Sequence, residues 1–274
     1  MNTHLFTIAR MEFRAAARLW WIRLFAIAYA LVTVAMATAS GVIGDTGSDE
    51  GFARLTVAVL PLALMLVPLA SLLVGTSGAA DAGETAFLLA QPVSRRQLAI
   101  GCWLGRAAGV SAALIAGFGA GGVFVAAVSG ANDIARFGAL LVACLLAGLA
   151  FLSIGSLVAS AVPRRHAAMG AAVFVWFVAV LFYDAAMLGL ALAVPGTAGA
   201  RVLFVSVFGN ALDLVRVWTL VAAGTPHVLG AAGESWMRAL GSPAATIAIS
   251  SAALTAWIVA PLAVATSIYA ARDL

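Results

Sequence analysis

Residues 137–162 read FGALLVACLLAGLAFLSIGSLVASAV, a stretch without one charged side chain. Coiled as an α-helix it reaches about 39 Å, more than the roughly 30 Å of hydrocarbon in a bilayer. Period-two alternation, the mark of a membrane barrel strand, is absent, so the run reads as a membrane-spanning helix. Five further runs share its character: Leu24–Val42, Leu55–Val74, Ala107–Val128, Ala167–Val194 and Ala244–Ala271. Composition agrees with them. Of 274 residues, 64% are hydrophobic and 9% are charged, whereas a soluble domain carries about 25% charged residues and could not dress a wet surface with fewer. The sequence predicts an all-α integral membrane protein, one domain over residues 1–274, with six transmembrane helices.

The first run is not a cleaved leader, because more than twenty residues precede it and it is long enough to span. Those preceding residues have a pattern of their own. On a helical wheel Phe6, Ala9, Phe13, Ala16, Ala17 and Trp20 share an arc, and Arg10, Arg14 and Arg18 form a stripe at its flank. Residues 4–20 therefore read as an amphipathic helix in the membrane interface, with arginine heads near lipid phosphate; the plainer alternative is a simple extension of the first span. Arginine placement sets the orientation. Ten of the fifteen arginines lie in the N-terminal segment, the second-to-third and fourth-to-fifth connections and the tail. These segments are expected to be cytoplasmic, with both termini among them.

All fifteen basic residues are arginine, and lysine is absent. A Walker A loop needs lysine to reach nucleotide phosphates, and Schiff-base cofactors need its amine. Any ATP that drives this chain must be hydrolysed by another one. Cys102 and Cys144 form no CxxC or CxxH spacing and read as packing residues. His4, His166 and His227 are scattered, the methionines do not cluster, and neither HExxH nor GxSxG occurs. The chain is thus expected not to be an enzyme on its own, and to hold neither metal nor cofactor.

Chemistry is concentrated in the connections. In residues 76–97, Asp81 and Glu84 have the spacing of a helix N-cap and its reciprocal partner, Pro92 stops the segment, and Ser94 with Gln97 repeats the capping pattern. A short capped helix among arginines is either a docking element for a cytoplasmic partner or a well-made connector. The other long connection, 195–243, is too apolar to float in water; pieces such as Arg201–Phe208 and Leu212–Val221 read as short helices on or in the outer membrane face, or as a docking surface for an external partner. Asp184 is the acidic residue deepest in a span, so it either marks a pathway or is held by a partner such as Arg201 or Arg216. Gly101, Gly105 and Gly109 repeat every four residues on one helix face, followed by Gly117, Gly119, Gly121 and Gly122, a pattern for close helix packing or for a helix that moves.

The stretch DAGETAFLLAQPVSRRQLAIGCWLG, from Asp81 onward, resembles the connection between the second and third spans of ABC-2 type transporter permeases. Gly83, Glu84, Thr85, Leu88, Leu89, Pro92, Ser94, Arg95, Gln97, Gly101 and Gly105 fit the family pattern, while Cys102 stands where lysine is usual. The resemblance implies the family's type V exporter-like architecture, and makes Asp81, Gly83, Glu84, Thr85, Leu88, Leu89, Pro92, Ser94 and Arg95 the element that seats in a groove of the ATPase. Within the family, VWFVAVLFYDAAMLGLAL, with Trp176 and Asp184, is similar to the fifth span of the NosY-type permeases that serve nitrous oxide reductase maturation. Gly209-Asn210-Ala211-Leu212-Asp213-Leu214-Val215-Arg216 is similar to their outer NPxDxxR-type segment, with Ala211 in place of the proline.

What this resemblance implies is a complex in a bacterial inner membrane. A second copy of the chain, a cytoplasmic NosF-like ATPase that binds ATP and magnesium, and a periplasmic NosD-like repeat protein are the expected partners, with Asn210, Asp213 and Arg216 facing the last of these. The lipid bilayer surrounds the assembly, and nucleic acid has no place in it. The implied role is support of copper-site assembly in nitrous oxide reductase, either by exporting a sulfur-containing species or by mechanical work on the periplasmic partner. Exporters of other cargo, such as drugs, lipids or peptides, and a non-transporting anchor for periplasmic partners are the alternatives.

Overall fold

The computed structural model describes residues 2–18, 20–39, 49–77, 94–129, 132–162, 164–194, 197–224, 236 and 239–271. All regular structure among them is helical: α1 (Asn2–Arg18), α2 (Trp20–Ala39), α3 (Asp49–Thr76), α4 (Arg95–Ser129), α5 (Asn132–Ala161), α6 (Arg165–Phe177), a π-helical segment (Val178–Phe182), α7 (Tyr183–Ala193), α8 (Thr197–Gly209), α9 (Ala211–Ala222) and α10 (Pro243–Ala271). Five stretches are long and apolar enough to cross a membrane: Ala58–Thr76, Arg95–Phe124, Phe137–Ala161, Arg165–Ala193 and Pro243–Ala271. Two bent pairs pass the same test only jointly. Leu5–Arg18 and Arg23–Ala35 differ in direction by 62°, and Ala198–Gly209 and Ala211–Ala222 by 100°. The chain is therefore a multi-pass helical membrane protein with five to seven candidate spans. The expected first span, Leu24–Val42, corresponds to α2, which reaches that threshold only together with α1.

Helix α5 is the axis of the bundle. It packs against α3, α4, α6, α9 and α10, and Leu140, Ala143, Cys144, Ala147, Ala150, Phe151 and Leu152 are all buried along it. Lipid tails are as apolar as leucine, so hydrophobicity alone cannot draw a helix inward; close van der Waals packing between small residues can. Alanine and glycine supply that here. At the crossing of α3 and α5, a Cβ on Gly75 would lie 2.7 Å from the Leu152 carbonyl, and one on Gly155 would lie 2.6 Å from that of Leu72. The span Arg165–Ala193 is the opposite case. Phe174, Phe177, Leu181, Phe182, Leu188 and Leu192 all point out of the bundle.

The glycine face of α4 determines where α1 goes. Gly101 lies against Ile8, Gly105 against Ala9, Glu12 and Phe13, and Gly109 against Ala16; further along, Gly117 meets Ala26 and Tyr29, and Gly121 meets Thr33. Helices α1 and α2 thus run along α4 in parallel, one glycine at a time. The packed side of α1 is Leu5, Ile8, Ala9, Glu12, Phe13 and Ala16. Of the apolar arc read from the helical wheel, Ala9, Phe13 and Ala16 pack on α4, while Phe6, Ala17 and Trp20 are exposed. Glycines accept the flattest face offered, so the position of the alanines, not of the aromatic rings, selects the side of α1 that packs. Glu12 completes the contact with an ion pair to Arg106 at 3.2 Å, both side chains mostly buried, and the Cys102 thiol faces the same carboxylate. The arginine stripe, Arg10, Arg14 and Arg18, remains on the open side.

Two alanine substitutions separate close packing from glycine flexibility. A Cβ on Gly105 would collide with the Ala9 carbonyl and lie 2.5 Å from the Glu12 Cβ, whereas one on Gly119 meets nothing within 4 Å. Gly105→Ala is expected to destabilise the chain by about 1–3 kcal/mol through overpacking. Gly119→Ala is expected to be neutral or stabilising by about 0.5–1 kcal/mol through lost glycine flexibility. Thermal unfolding in detergent checks both signs.

Candidate functional site

Away from α1, the π-helical segment of one span and the corner between α8 and α9 meet in one place. The chain from Arg165 to Ala193 is interrupted by the π-helical segment, in which the Tyr183 N–H bonds back five residues to the Val178 carbonyl. A wider turn leaves a carbonyl without its usual donor. The Ala179 carbonyl is met by the Asn210 amide, which donates to it at 2.9 Å. Asn210 stands at the 100° corner between α8 and α9. Its Oδ1 accepts from the Leu212 N–H at 3.1 Å, which makes it the N-cap of α9. With extended φ/ψ and 4% exposure, this one side chain closes two breaks at once. Asparagine suits both tasks because its amide offers a donor and an acceptor.

The last turn of α8 is covered in the same way. The Tyr183 hydroxyl donates to the Ser206 carbonyl at 2.5 Å, and the Trp257 indole donates to the Phe208 carbonyl at 3.1 Å. Tyr183 lies directly against Gly209, where a Cβ would collide with its hydroxyl. Further down the same span, Trp176 donates to the Met65 carbonyl at 2.8 Å. Met65 precedes Pro68 by three residues inside α3, a place where proline loosens helical bonding. The Trp218 indole links α9 to α10 through Ser251 at 2.9 Å.

Charge is gathered beside this corner. Arg216 Nη1 reaches Asp213 at 3.0 Å on its own helix and Asp184 at 3.4 Å on α7. Of the two partners expected for Asp184, the structure therefore selects Arg216. Two carboxylates face one guanidinium, so the cluster carries a net negative charge when all three are ionised. Asp213 is the more enclosed of them; Asp184 and Arg216 remain 40% and 43% exposed at the side chain. Of the readings open for α9, on the outer membrane face or dipping into it, the buried position of the helix favours the second. Leu212, Leu214, Val215, Leu220 and Val221 are buried, against α5 and α10 among others. The 100° turn at Asn210 is what brings it inward.

The second candidate site lies at the α1 end. Asp81, Gly83, Glu84, Thr85, Leu88, Leu89 and Pro92 are outside the described residues. Ser94 and Gln97, just beyond them, form the reciprocal capping pair read from the sequence: the Gln97 N–H donates to the Ser94 Oγ and the Ser94 N–H to the Gln97 Oε1, each at 3.3 Å. Helix α4 begins at Arg95 immediately behind this cap. Gly101, Gly105 and Gly109 all turn to α1, as packing residues do. The Glu12–Arg106 pair is beyond sequence reasoning, since nothing in local spacing connects residues 94 positions apart. Tyr183, Trp257 and Trp218 did carry a signal. Each combines an apolar ring with a polar group that needs a partner when buried.

Two comparisons with known proteins bear on these sites. The family model described as ABC-2 family transporter protein matches residues 6–274. A protein of Pseudomonas aeruginosa named probable ABC transporter permease protein NosY is 31% identical over 225 residues, 78% of this chain and 80% of that one. A protein of the same name from Stutzerimonas stutzeri is 27% identical over 277 residues, 97% of each chain.

The charge cluster has a testable sign. Arg216→Gln leaves Asp184 and Asp213 facing each other, and is expected to cost roughly 1–3 kcal/mol of stability. Adding Asp184→Asn is expected to restore part of that loss. A double-mutant cycle followed by thermal unfolding checks the coupling; additive effects would mean that the three side chains do not act together.

Proposed function

The chain belongs to the ABC-2 family of transporter proteins, and from that membership we propose how it works as the membrane-embedded permease of an ABC transporter. It does no ATP chemistry itself. A separate cytoplasmic ATPase of the NosF kind binds ATP and magnesium, and a second copy of the chain completes the membrane path. In this reading the protein lies in a bacterial inner membrane with six spans, both termini are cytoplasmic, and α1 lies at the interface with Arg10, Arg14 and Arg18 toward lipid phosphate. The exposed apolar side of the Arg165–Ala193 span, with Phe174, Phe177 and Leu181, is covered by lipid or by the second copy.

The observation that carries the mechanism is the way α4 begins. Its first turn is closed by the Ser94–Gln97 cap. Its next turns are joined to α1 by the glycine face and the Glu12–Arg106 pair. A displacement received by Asp81, Gly83, Glu84, Thr85, Leu88, Leu89, Pro92, Ser94 and Arg95 would therefore move α1 and α4 as one body rather than fray the end of a helix. ATP binding then favours one of two packings of the dimer, and hydrolysis restores the other.

At the opposite end, Asp213 and Arg216, backed by the corner residue Asn210 and joined to Asp184, are the side chains offered to a periplasmic repeat protein of the NosD kind. The names of the two relatives support a role in copper-site maturation of nitrous oxide reductase. Export of a sulfur-containing species and mechanical work on the periplasmic partner are both compatible with this arrangement.

Co-purification with a tagged copy expressed from its native operon is expected to bring down a P-loop ATPase together with a periplasmic repeat protein. Recovery of the ATPase alone would retain the transporter and reject the maturation role. In the reconstituted complex, Glu84→Ala with Thr85→Ala is expected to leave membrane insertion intact. It should lower permease-dependent ATP hydrolysis by about tenfold, the range of an ordinary coupling free energy. Unchanged hydrolysis would reject this segment as the coupling element.

A further inference from the structure

Buried hydroxyls in this bundle are mostly used on their own helices. Thr33 donates to the Tyr29 carbonyl at 2.8 Å, Ser153 to Leu149 at 3.1 Å, Ser160 to Leu157 at 2.7 Å and Thr219 to Val215 at 2.6 Å. In an apolar medium this is the nearest way to satisfy a side-chain donor. Tyr29 Oη on α2 and Ser71 Oγ on α3 behave differently. Their residues are 3% and 0% exposed, and the two oxygens meet no hydrogen-bond partner among the described residues.

Both residues line the same small recess, of about 20 Å³, bounded by α2, α3 and α4 and open on one side. Phe25, Ala70, Val74, Val110, Ala113 and Leu114 make up its other walls. The Tyr29 ring is stacked on Phe118 at 5.3 Å and on Phe25 at 6.3 Å, so its hydroxyl is held in place. Ser71 is given room by α5, where a Cβ on Gly148 would lie 3.3 Å from the Ser71 Oγ.

Size and chemistry identify the occupant. A water needs roughly 10–15 Å³ of such space and two or more polar partners; this cavity accommodates one and supplies two. No charged side chain lines it, which excludes an ion. We propose that the cavity binds one structural water, hydrogen-bonded to Tyr29 Oη and Ser71 Oγ, which pins α2 to α3 where both pack on α4. Water can donate to one hydroxyl and accept from the other, which neither apolar walls nor a neighbouring helix can do here. The pin lies five residues before the end of α3 at Thr76, the end from which the chain leaves toward the proposed coupling segment.

The test uses the full-length chain in lipid nanodiscs, with Tyr29→Phe, Ser71→Ala and the two combined. Each single change is expected to lower Tm by about 2–4 °C. The double variant should lose no more than the larger single effect, because one deletion already frees the water. A single variant as stable as the unaltered protein, or more so, would mean that the hydroxyls sit dry, and would overturn the proposal. Additive losses would mean two separate partners and would overturn it as well. Density of the unaltered protein, fine enough to show ordered water, gives a readout that no misfolded variant can spoil. A peak about 3 Å from both oxygens is expected, and an empty cavity would reject the site.

Discussion

A helix that breaks inside hydrocarbon exposes a carbonyl that no bulk water can reach, and the geometry of this protein depends on how those carbonyls are met. Ala179 is freed by the π-helical segment and taken by Asn210. Ser206 and Phe208 close α8 and are taken by Tyr183 and Trp257. Met65, ahead of Pro68, is taken by Trp176. Each of these donors comes from a different helix from the acceptor, so covering a break also fixes one helix against another. The sharp α8–α9 corner is stable because its polar groups are used inside the chain. Asp184, the least welcome residue in any apolar span, sits one residue after Tyr183 in that same network and finds Arg216 there.

The other end of the bundle is organised by shape instead. Gly101, Gly105 and Gly109 remove side chains from one face of α4, and α1 presents Ile8, Ala9 and Ala16 to it. Dispersion falls off steeply with distance, so backbones that approach closely gain contact that bulkier helices forfeit. The Glu12–Arg106 pair then adds a charge-assisted link within this interface. The two ends are thus held by different means: close packing of small residues at one, and side chains that cover freed carbonyls at the other.

Much of this was legible in the residues. Five of the six expected spans were readable from apolar length, and the Ser94–Gln97 cap from its spacing, because both depend on interactions within a few positions along one helix. The glycine face was readable as a packing surface, although its occupant was not. Asp184 had to have a partner on energetic grounds, yet Arg201 and Arg216 offered the same charge, and the one it meets is the more distant in sequence. The arc expected on α1 followed its aromatic rings. Phe6 and Trp20 of that arc are exposed while Ala9, Phe13 and Ala16 pack, and only the glycines of α4 decide that division. Hydropathy also could not say that α5 is central and that Arg165–Ala193 is peripheral, since both are apolar enough to dissolve in lipid.

By itself the sequence determined that this is a helical membrane protein without a nucleotide-binding lysine, that a capped segment precedes its third apolar run, and that its polar groups are few. Those properties are local or compositional, and a chain in a bilayer has no other way to express them. Tertiary structure alone decided which carboxylate meets which arginine, which side of α1 packs, and which side chains cover the broken helices. These are choices among partners of equal chemistry far apart along the chain. Only the approach distances set by glycine and alanine at the helix crossings can make them.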